Sequence, residues 1–328
     1  MSIGRNILGI PAHARASSPL HQDHGFARAF MDGMRSTPKK IPCKYFYDAI
    51  GSALFDEICA LPEYYQTRTE RSLLREHAQE IARIIGPDVE LIEFGAGALT
   101  KVRILLDALE KPRAYIPIDI SGEYLAKVCA ALDKDYPTLH LDPVVADFTR
   151  PFVLPASKYG TARRVGFFPG STIGNFSPDE AIAFLKTVSG IVRGGGILIG
   201  VDLVKDRDIL HAAYNDERGI TAAFNKNIFA RANRELDATF DLDAFAHHAF
   251  FNEAASRIEM HLVSRVDQEV QAAGELIAFS KAESVHTEDS YKYTVESFQA
   301  LAWAAGLVPR EVWFDPDRLF SVHWLEAD

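Results

Sequence analysis

"LIEFGAGALTK", Leu91 to Lys101, joins an apolar run, a glycine turn and a helix start. Such a passage lets backbone approach a nucleotide or nucleoside closely, with the first amides of the helix turned toward it. What flanks the stretch repeats the same alternation. Upstream, Thr67 and Glu70 have the spacing of a capping box, and Leu73, Leu74, His77, Ile81, Ile84 and Ile85 recur at helical intervals until Gly86-Pro87. Downstream come a helix "TKVRILLDAL", a strand "AYIPIDI", a helix "EYLAKVCAALDKDY", strands "LDPVVADF" and "RVGFFPG", a helix "PDEAIAFLKTVSGIV" and a strand "GGILIGVDLV". Apolar strands alternating with helices predict an α/β fold with a parallel sheet covered on both faces. Near the carboxyl terminus "REVWFD" and "FSVHWLEA" are close enough to form an antiparallel hairpin at the sheet edge.

Residues 205 to 292 break this scheme. A helical region around "GITAAFNKNIFARANREL" leads to "SRIEMHLVSR", where Ile258, Met260 and Leu262 alternate with polar neighbours, and then to "GELIAFS". The reading is a smaller α+β lid domain, residues 21–68 and 205–292, over the ligand edge of a sheet domain, 69–204 and 293–328. Residues 1–20 read as a loosely ordered tail, because the apolar run there is too short for a signal peptide or a span.

Composition narrows the partners. With 48% hydrophobic residues, 24% charged residues and a net charge of -10, the 328-residue chain reads as soluble and globular and argues against nucleic acid or a membrane as partner. Cys43, Cys59 and Cys129 are odd in number and lack CxxC spacing. A cytoplasmic protein without disulfides or a zinc site is the expectation. His247-His248 and His21 with His24 lack cysteines or acids at ligand spacing, so no metal is expected.

The ligand of the glycine turn follows from what surrounds it. Asp119 ends the next strand 22 residues after Gly97, where an acid can accept from ribose hydroxyls, and Asp147-Phe148 ends the third strand. Gly95 and Gly97 are not followed by the third glycine that a dinucleotide pyrophosphate favours. S-adenosylmethionine (SAM) carries no phosphate; Asp147 suits the adenine amino group and Phe148 the ring face. Together with the terminal hairpin, these features favour the Rossmann-like sheet of a class I SAM-dependent methyltransferase over a dehydrogenase. A bare turn with nothing bound is the alternative.

Further strings carry a resemblance. "KYFYDAIGSALFDEICALPEYYQTRTE", "LIEFGAGALTK", "PIDIS", "VADF", "FFPGSTIGNF", "DLVKD", "AAYND", "GITAAFNKN", "RIEMHL" and "HTEDSYKY" run in order from about residue 40 to the end. Together they resemble the SAM-dependent histidine N-alpha-methyltransferases of ergothioneine biosynthesis. The resemblance implies conversion of L-histidine to its trimethyl betaine, hercynine, with three SAM consumed. It implies that Gly95, Lys101, Asp119, Asp147 and Phe148 contact SAM, that Tyr64, Asn175 and Tyr214 hold the amine and carboxylate, and that Glu288 and Ser290 hold the imidazole. Asp289 departs from the pattern, since an apolar residue can stand there; in an extended segment it points away from its neighbours.

The residues themselves bear on these roles. "PGSTIGN", Pro169 to Asn175, is small and polar between a buried strand and a helix capped by Ser177. The Asn175 amide offers a donor and an acceptor, so it can fix an amine and a carboxylate together, although asparagine also ends turns. Glu288 and Ser290, two apart, share a strand face and can meet both imidazole nitrogens; a solvated edge strand is the plainer reading. Met260 is expected to line the imidazole pocket, although core packing is the commoner fate of methionine. Of the adjacent Tyr64 and Tyr65, one belongs to the core and one to the site. The partners expected are histidine and its methylated intermediates, for a monomer. The alternatives are methylation of another amino acid or small amine, and a non-catalytic SAM-binding regulator.

Overall fold

A computed structural model describes residues 20–328 apart from 98 and 161. Apart from residue 20, the expected tail lies outside the described residues, as do the side chains of His21 and His24. The chain opens with helix α1 (Leu20–Arg35), a short strand β1 (Lys39–Lys40) and α2 (Ala49–Cys59), which Asp48 caps by accepting from Gly51 N. Where one helix was expected from Thr67 to Gly86 there are two, α3 (Tyr65–Glu76) and α4 (Ala78–Ile85), separated at His77. Because α3 begins at Tyr65, Glu70 lies in mid-helix. It caps nothing and has another use, given below.

The alternation then proceeds through β2 (Glu90–Phe94), α5 (Thr100–Ala108), β3 (Ala114–Asp119), α6 (Gly122–Asp135), β4 (His140–Leu141), β5 (Val144–Val145), β6 (Arg164–Phe168), α7 (Pro178–Ile191) and β7 (Gly196–Asp202). The expected strand "LDPVVADF" is only the two short pieces β4 and β5. Pro143 lies between them and has no N–H to give a ladder. After a long excursion come α10 (Val295–Ala304), β13 (Leu307–Phe314) and β14 (Phe320–Ala327), numbered to follow the elements of that excursion.

The sheet order is β13-β14-β7-β6-β2-β3-β4, with β5 also on β3. All neighbours are parallel except β14, which runs antiparallel to both β7 and β13. The terminal hairpin thus closes one edge. Leu73, Leu74, Ile81, Leu105 and Leu106 cover one face of the sheet, and Phe184, Leu185, Val188 and Phe298 the other. Strand order reverses between β2 and β6, with β3 added on one side and β6 and β7 on the other, so a crevice opens at their carboxyl ends, where open α/β sheets bind ligands.

The excursion holds α8 (Arg207–Tyr214), α9 (Ile220–Glu235), β8 (Phe245–Asn252), β9 (Arg257–Ser264), β10 (Gln268–Ala272), β11 (Glu275–Phe279) and β12 (Ser284–Tyr291). Strands β8, β9 and β12 are antiparallel, with β1 parallel to β12. Phe26, Phe30, Phe46 and Ile58 of the amino-terminal helices share one apolar cluster with Phe224, Phe229, Leu262 and Val285 of the excursion.

Candidate active site

The carboxyl ends of the parallel strands deliver the polar groups. After β2, the N–H groups of Gly95 and Ala96 both donate to Ile118 O, at 2.9 and 3.0 Å, which ties the turn to β3. Gly95 has φ 74°, which favours glycine, and a Cβ there would stand 3.4 Å from the Phe148 ring. A Cβ on Gly97 would meet nothing nearer than Gly95 O at 4.0 Å, so no protein atom demands that glycine. The space is open to a ligand. Asp119, at the end of β3, accepts from Ser121 N at 2.9 Å, and burial raises its pKa. Such an acid suits ribose hydroxyl donors. Asp147 accepts from Lys44 Nζ at 2.7 Å; burial works to raise its pKa, but Lys44 and Thr149 bring it below the ordinary carboxylate value. The Phe148 ring stands edge-on to Phe94 and Phe168, at centroid distances of 6.4 and 5.7 Å. The donor set fits a phosphate-free nucleoside.

Lys101 reaches this region by a route that local sequence did not reveal. Its ammonium pairs with Glu70 Oε2 at 2.5 Å, and both Glu70 oxygens accept from Gly170 N at 2.9 Å. Glu70 is 1% exposed, so a buried carboxylate ties α3 to the glycine-turn helix and to the loop after β6. A Cβ on Gly200 would overlap Glu70 Oε1 at 2.0 Å, which explains glycine in the middle of β7.

The loop Pro169–Asn175 is held from several sides. Gly170 has φ 81° and Ser171 φ 55°, a left-handed pair that turns the chain sharply. Ser171 Oγ accepts from Asp202 N at 2.9 Å, and Gly174 lies so near β12 that a Cβ would come within 2.8 Å of Tyr291 O. Asn175, half-buried, ends this turn against the lid.

On the lid, Glu288 and Ser290 lie on the buried face of β12 opposite Met260 and Ile258 of β9. Met260 is 1% exposed and belongs to the lid's apolar cluster. Burial pushes the Glu288 pKa up to about 7, with Lys292 opposing the rise and Asp289 adding to it. Tyr214 donates to Ser290 Oγ at 2.8 Å. Tyr64, half-buried at the head of α3, has its pKa raised by burial and lies within electrostatic range of Tyr214 and Glu288, whereas its neighbour Tyr65 is buried and donates to both oxygens of Asp202, at 2.8 and 2.9 Å. Asp289 faces the other way and pairs with Arg257 Nε at 3.0 Å and His286 Nε2 at 2.9 Å. Among the described residues, Glu259, His261 and His286 on that outer face could together hold a metal ion. Arg257 and Asn252 already occupy Glu259 Oε1.

Two sets of residues escaped the sequence reading. His247 Nε2 donates to Tyr214 O at 2.9 Å while its Nδ1 accepts from Asn225, and Asn225 Oδ1 accepts from Thr287 Oγ at 2.7 Å; this chain fixes Tyr214 relative to β12. The second set is a buried charge cluster. Asp202 takes Lys205 and Lys292 at 2.5 and 2.8 Å, and Lys292 also donates to Ser290 Oγ at 2.7 Å and Tyr214 Oη at 3.0 Å. The rule that placed Glu288 and Ser290 on one face also puts Lys292 there, two residues further on, so its signal was present.

Comparison with known proteins shows the family. Residues 26–327 match the family model described as "Histidine-specific methyltransferase, SAM-dependent". A histidine N-alpha-methyltransferase of Mycolicibacterium smegmatis is 43% identical over 87% of this chain and 89% of its own. One from Mycobacterium tuberculosis is 40% identical over 88% of this chain and 90% of its own. Ergothioneine biosynthesis protein 1 of Neurospora crassa, a longer protein matched over 32% of its length, is 30% identical over 84% of this chain. This chain belongs to the SAM-dependent, histidine-specific methyltransferase family.

Proposed function

We propose that this protein transfers methyl groups from SAM to the α-amino nitrogen of L-histidine, three times in succession, giving hercynine for ergothioneine biosynthesis. One observation carries the reading beyond family membership: Glu288 and Ser290 lie side by side on the buried face of a lid strand, while the loop bearing Asn175 is pressed against that same strand. An imidazole-sized grip and an amine-sized grip are thereby brought together beside the carboxyl ends of β2, β3 and β6. In this reading Gly95, Gly97, Asp119, Asp147 and Phe148 hold the methyl donor, and Lys101 acts through Glu70. Asn175, Tyr64 and Tyr214 hold the amine and carboxylate, and Met260, Glu288 and Ser290 the ring.

SAM supplies a methyl on a sulfonium, a leaving group that needs no acid. The α-amino group must arrive unprotonated, although its solution pKa of about 8 keeps most of it charged at neutral pH. The buried tyrosines favour the free base through desolvation and then orient its lone pair; catalysis lies mainly in positioning. Each transfer leaves S-adenosylhomocysteine and a methylated ammonium; the first two products lose a proton to water before the next transfer, so N–H donors fall away while tyrosine oxygens and ring faces continue to hold the cations.

We further assign the chain a SAM-binding domain, 69–204 and 293–328, and a substrate lid, 21–68 and 205–292, acting as a cytoplasmic monomer without nucleic-acid or membrane partners. No described helix is long and apolar enough to cross a membrane. The test is a mass-spectrometric time course of L-histidine with SAM and the protein. Histidine is expected to gain one, two and three CH2 increments in turn. An unchanged histidine, with SAM bound, would leave a SAM-binding regulator, and gain on another amine would leave the other alternative.

A further inference from the structure

Lys292 is 2% exposed, and the three protons of its ammonium have three acceptors: Asp202 Oδ2, Ser290 Oγ and Tyr214 Oη. Asp202 does not need it for neutrality, since Lys205 already pairs with that carboxylate. The cluster Asp202, Lys205 and Lys292 therefore carries one surplus positive charge, which the Glu288 carboxylate, two positions along the same strand face, balances. Tyr214 Oη and Ser290 Oγ are 2.8 Å apart, so one of them donates to the other. Both oxygens also accept from Lys292. Two hydroxyl protons are thus divided between one mutual bond and one bond to a ligand.

We infer that Lys292 is a positioning residue that makes the pocket take the substrate ring as one neutral tautomer, its N–H on Glu288 and its bare nitrogen accepting from Ser290. The inference rests on the histidine reading above. With Tyr214 donating to Ser290, both Ser290 lone pairs are filled and its proton has only the ring to face. The opposite arrangement would free a Ser290 lone pair for a second ring N–H and so admit an imidazolium. That cation would sit one hydroxyl away from a buried ammonium, and like charges in such a site disfavour it.

The titratable and charged groups facing this corner are Asp202 ending β7 and Lys205 beyond it, Asp315 after β13, Tyr64 and Tyr65 at the head of α3, Tyr214 ending α8, Cys43 and Tyr47 ahead of α2, Cys59 ending α2, and Glu288 on β12. Burial raises the tyrosines and Cys43 and Cys59; the two lysines keep Asp202 low, and Lys205 falls only to about 8. Asp289 lies on the opposite face, held by Arg257. Of the groups in contact with the ring, Glu288 is the one raised into the range where the ring itself titrates.

Hercynine isolates the ring, because its quaternary nitrogen does not titrate. Calorimetric titration of hercynine into protein loaded with S-adenosylhomocysteine, between about pH 5 and 6, starts from a charged ring and a protonated Glu288. Wild type is expected to release two protons on binding, its Kd rising about a hundredfold per pH unit of acidification. Lys292→Met, by admitting the ring cation beside the carboxylate, is expected to release one proton, with about a tenfold rise per unit. Lys205→Met removes the same charge from the cluster without touching the hydroxyls and is expected to keep two. Glu288→Gln, whose side chain does not titrate, isolates the ring's own proton and is expected to release one; if it releases none, the inference is overturned, so it stays testable should Lys292→Met not fold. A folded Lys292→Met that still releases two, or a Lys205→Met that drops to one, also overturns it. Hercynine failing to bind wild type at any pH removes the histidine reading and the inference with it, whereas wild-type binding with no proton released by Glu288→Gln removes the inference alone.

Discussion

The donor half and the substrate half of the crevice are built differently. Past the carboxyl ends of β3 and β5 each acid has a local partner, Asp119 accepting from Ser121 and Asp147 from Thr149, with Lys44 reaching Asp147 from farther off. On the lid, the polar groups engage partners far along the chain, Lys292 with Asp202 and Tyr214, Asn225 with Thr287. A half made of short turns can hold a cofactor shared by many folds. A half made of an interlocked buried network fixes the position of each donor and acceptor, which is what discrimination between amino acids requires. Substitutions should therefore separate cleanly, those on the lid acting on histidine and those at the strand ends acting on SAM.

The largest expected effect is from Glu288→Ala, which should lower kcat/KM for histidine by about a hundred- to a thousandfold, because the ring N–H loses its acceptor, with the SAM Kd within about twofold. The same group sets a pH dependence. Its pKa is raised to about 7, so as pH falls through that value the carboxyl gains a proton and becomes a weaker, uncharged acceptor for the ring N–H. Steady-state kcat/KM should fall on acidification, and Glu288→Gln should lose only the part of that fall set by this carboxyl, keeping the part set by protonation of the substrate amine. Next, Asn175→Ala should reduce kcat by about thirty- to a hundredfold through misdirection of the amine, with a smaller change in KM in the same assay.

Glu70→Ala tests the joint between the halves. It leaves the Gly170 N–H and the Lys101 ammonium without their buried partner, at a cost of about 3 kcal/mol, and calorimetry should show a Tm lower by about 6 °C. Asp119→Asn should weaken SAM about tenfold in a binding titration and leave the histidine KM unchanged. The smallest effect belongs to Asp289→Leu, within about twofold in every kinetic constant, since that side chain faces the outer side of the lid sheet. A large loss there would blur the comparison.

The donor half was legible because its signals are local. A strand, a glycine pair and acids near strand ends are read within a few residues of one another; Asp119 ends β3 as read, and Asp147 stands two residues past the end of the short β5. Glu70 was misread for the same reason: the spacing Thr67 to Glu70 satisfies a capping rule, but the helix begins two residues earlier and the carboxylate is drawn into a contact 100 residues away. Lys44 on Asp147 and Lys292 on Asp202 join groups far apart in the sequence, and no pattern of spacing declares those pairs. Lys292 alone carried a local clue in "ESVHTEDSYKY", through its even spacing from Glu288.

The central claim, that the lid grips an imidazole while the strand ends present the methyl donor, is tested most directly by competition. An equimolar mixture of L-histidine, L-phenylalanine and L-tryptophan is incubated with SAM and the protein, and the products are followed by mass. The account predicts that histidine is carried to the trimethyl betaine while the other two stay unmodified. Comparable methylation of phenylalanine or tryptophan would contradict it.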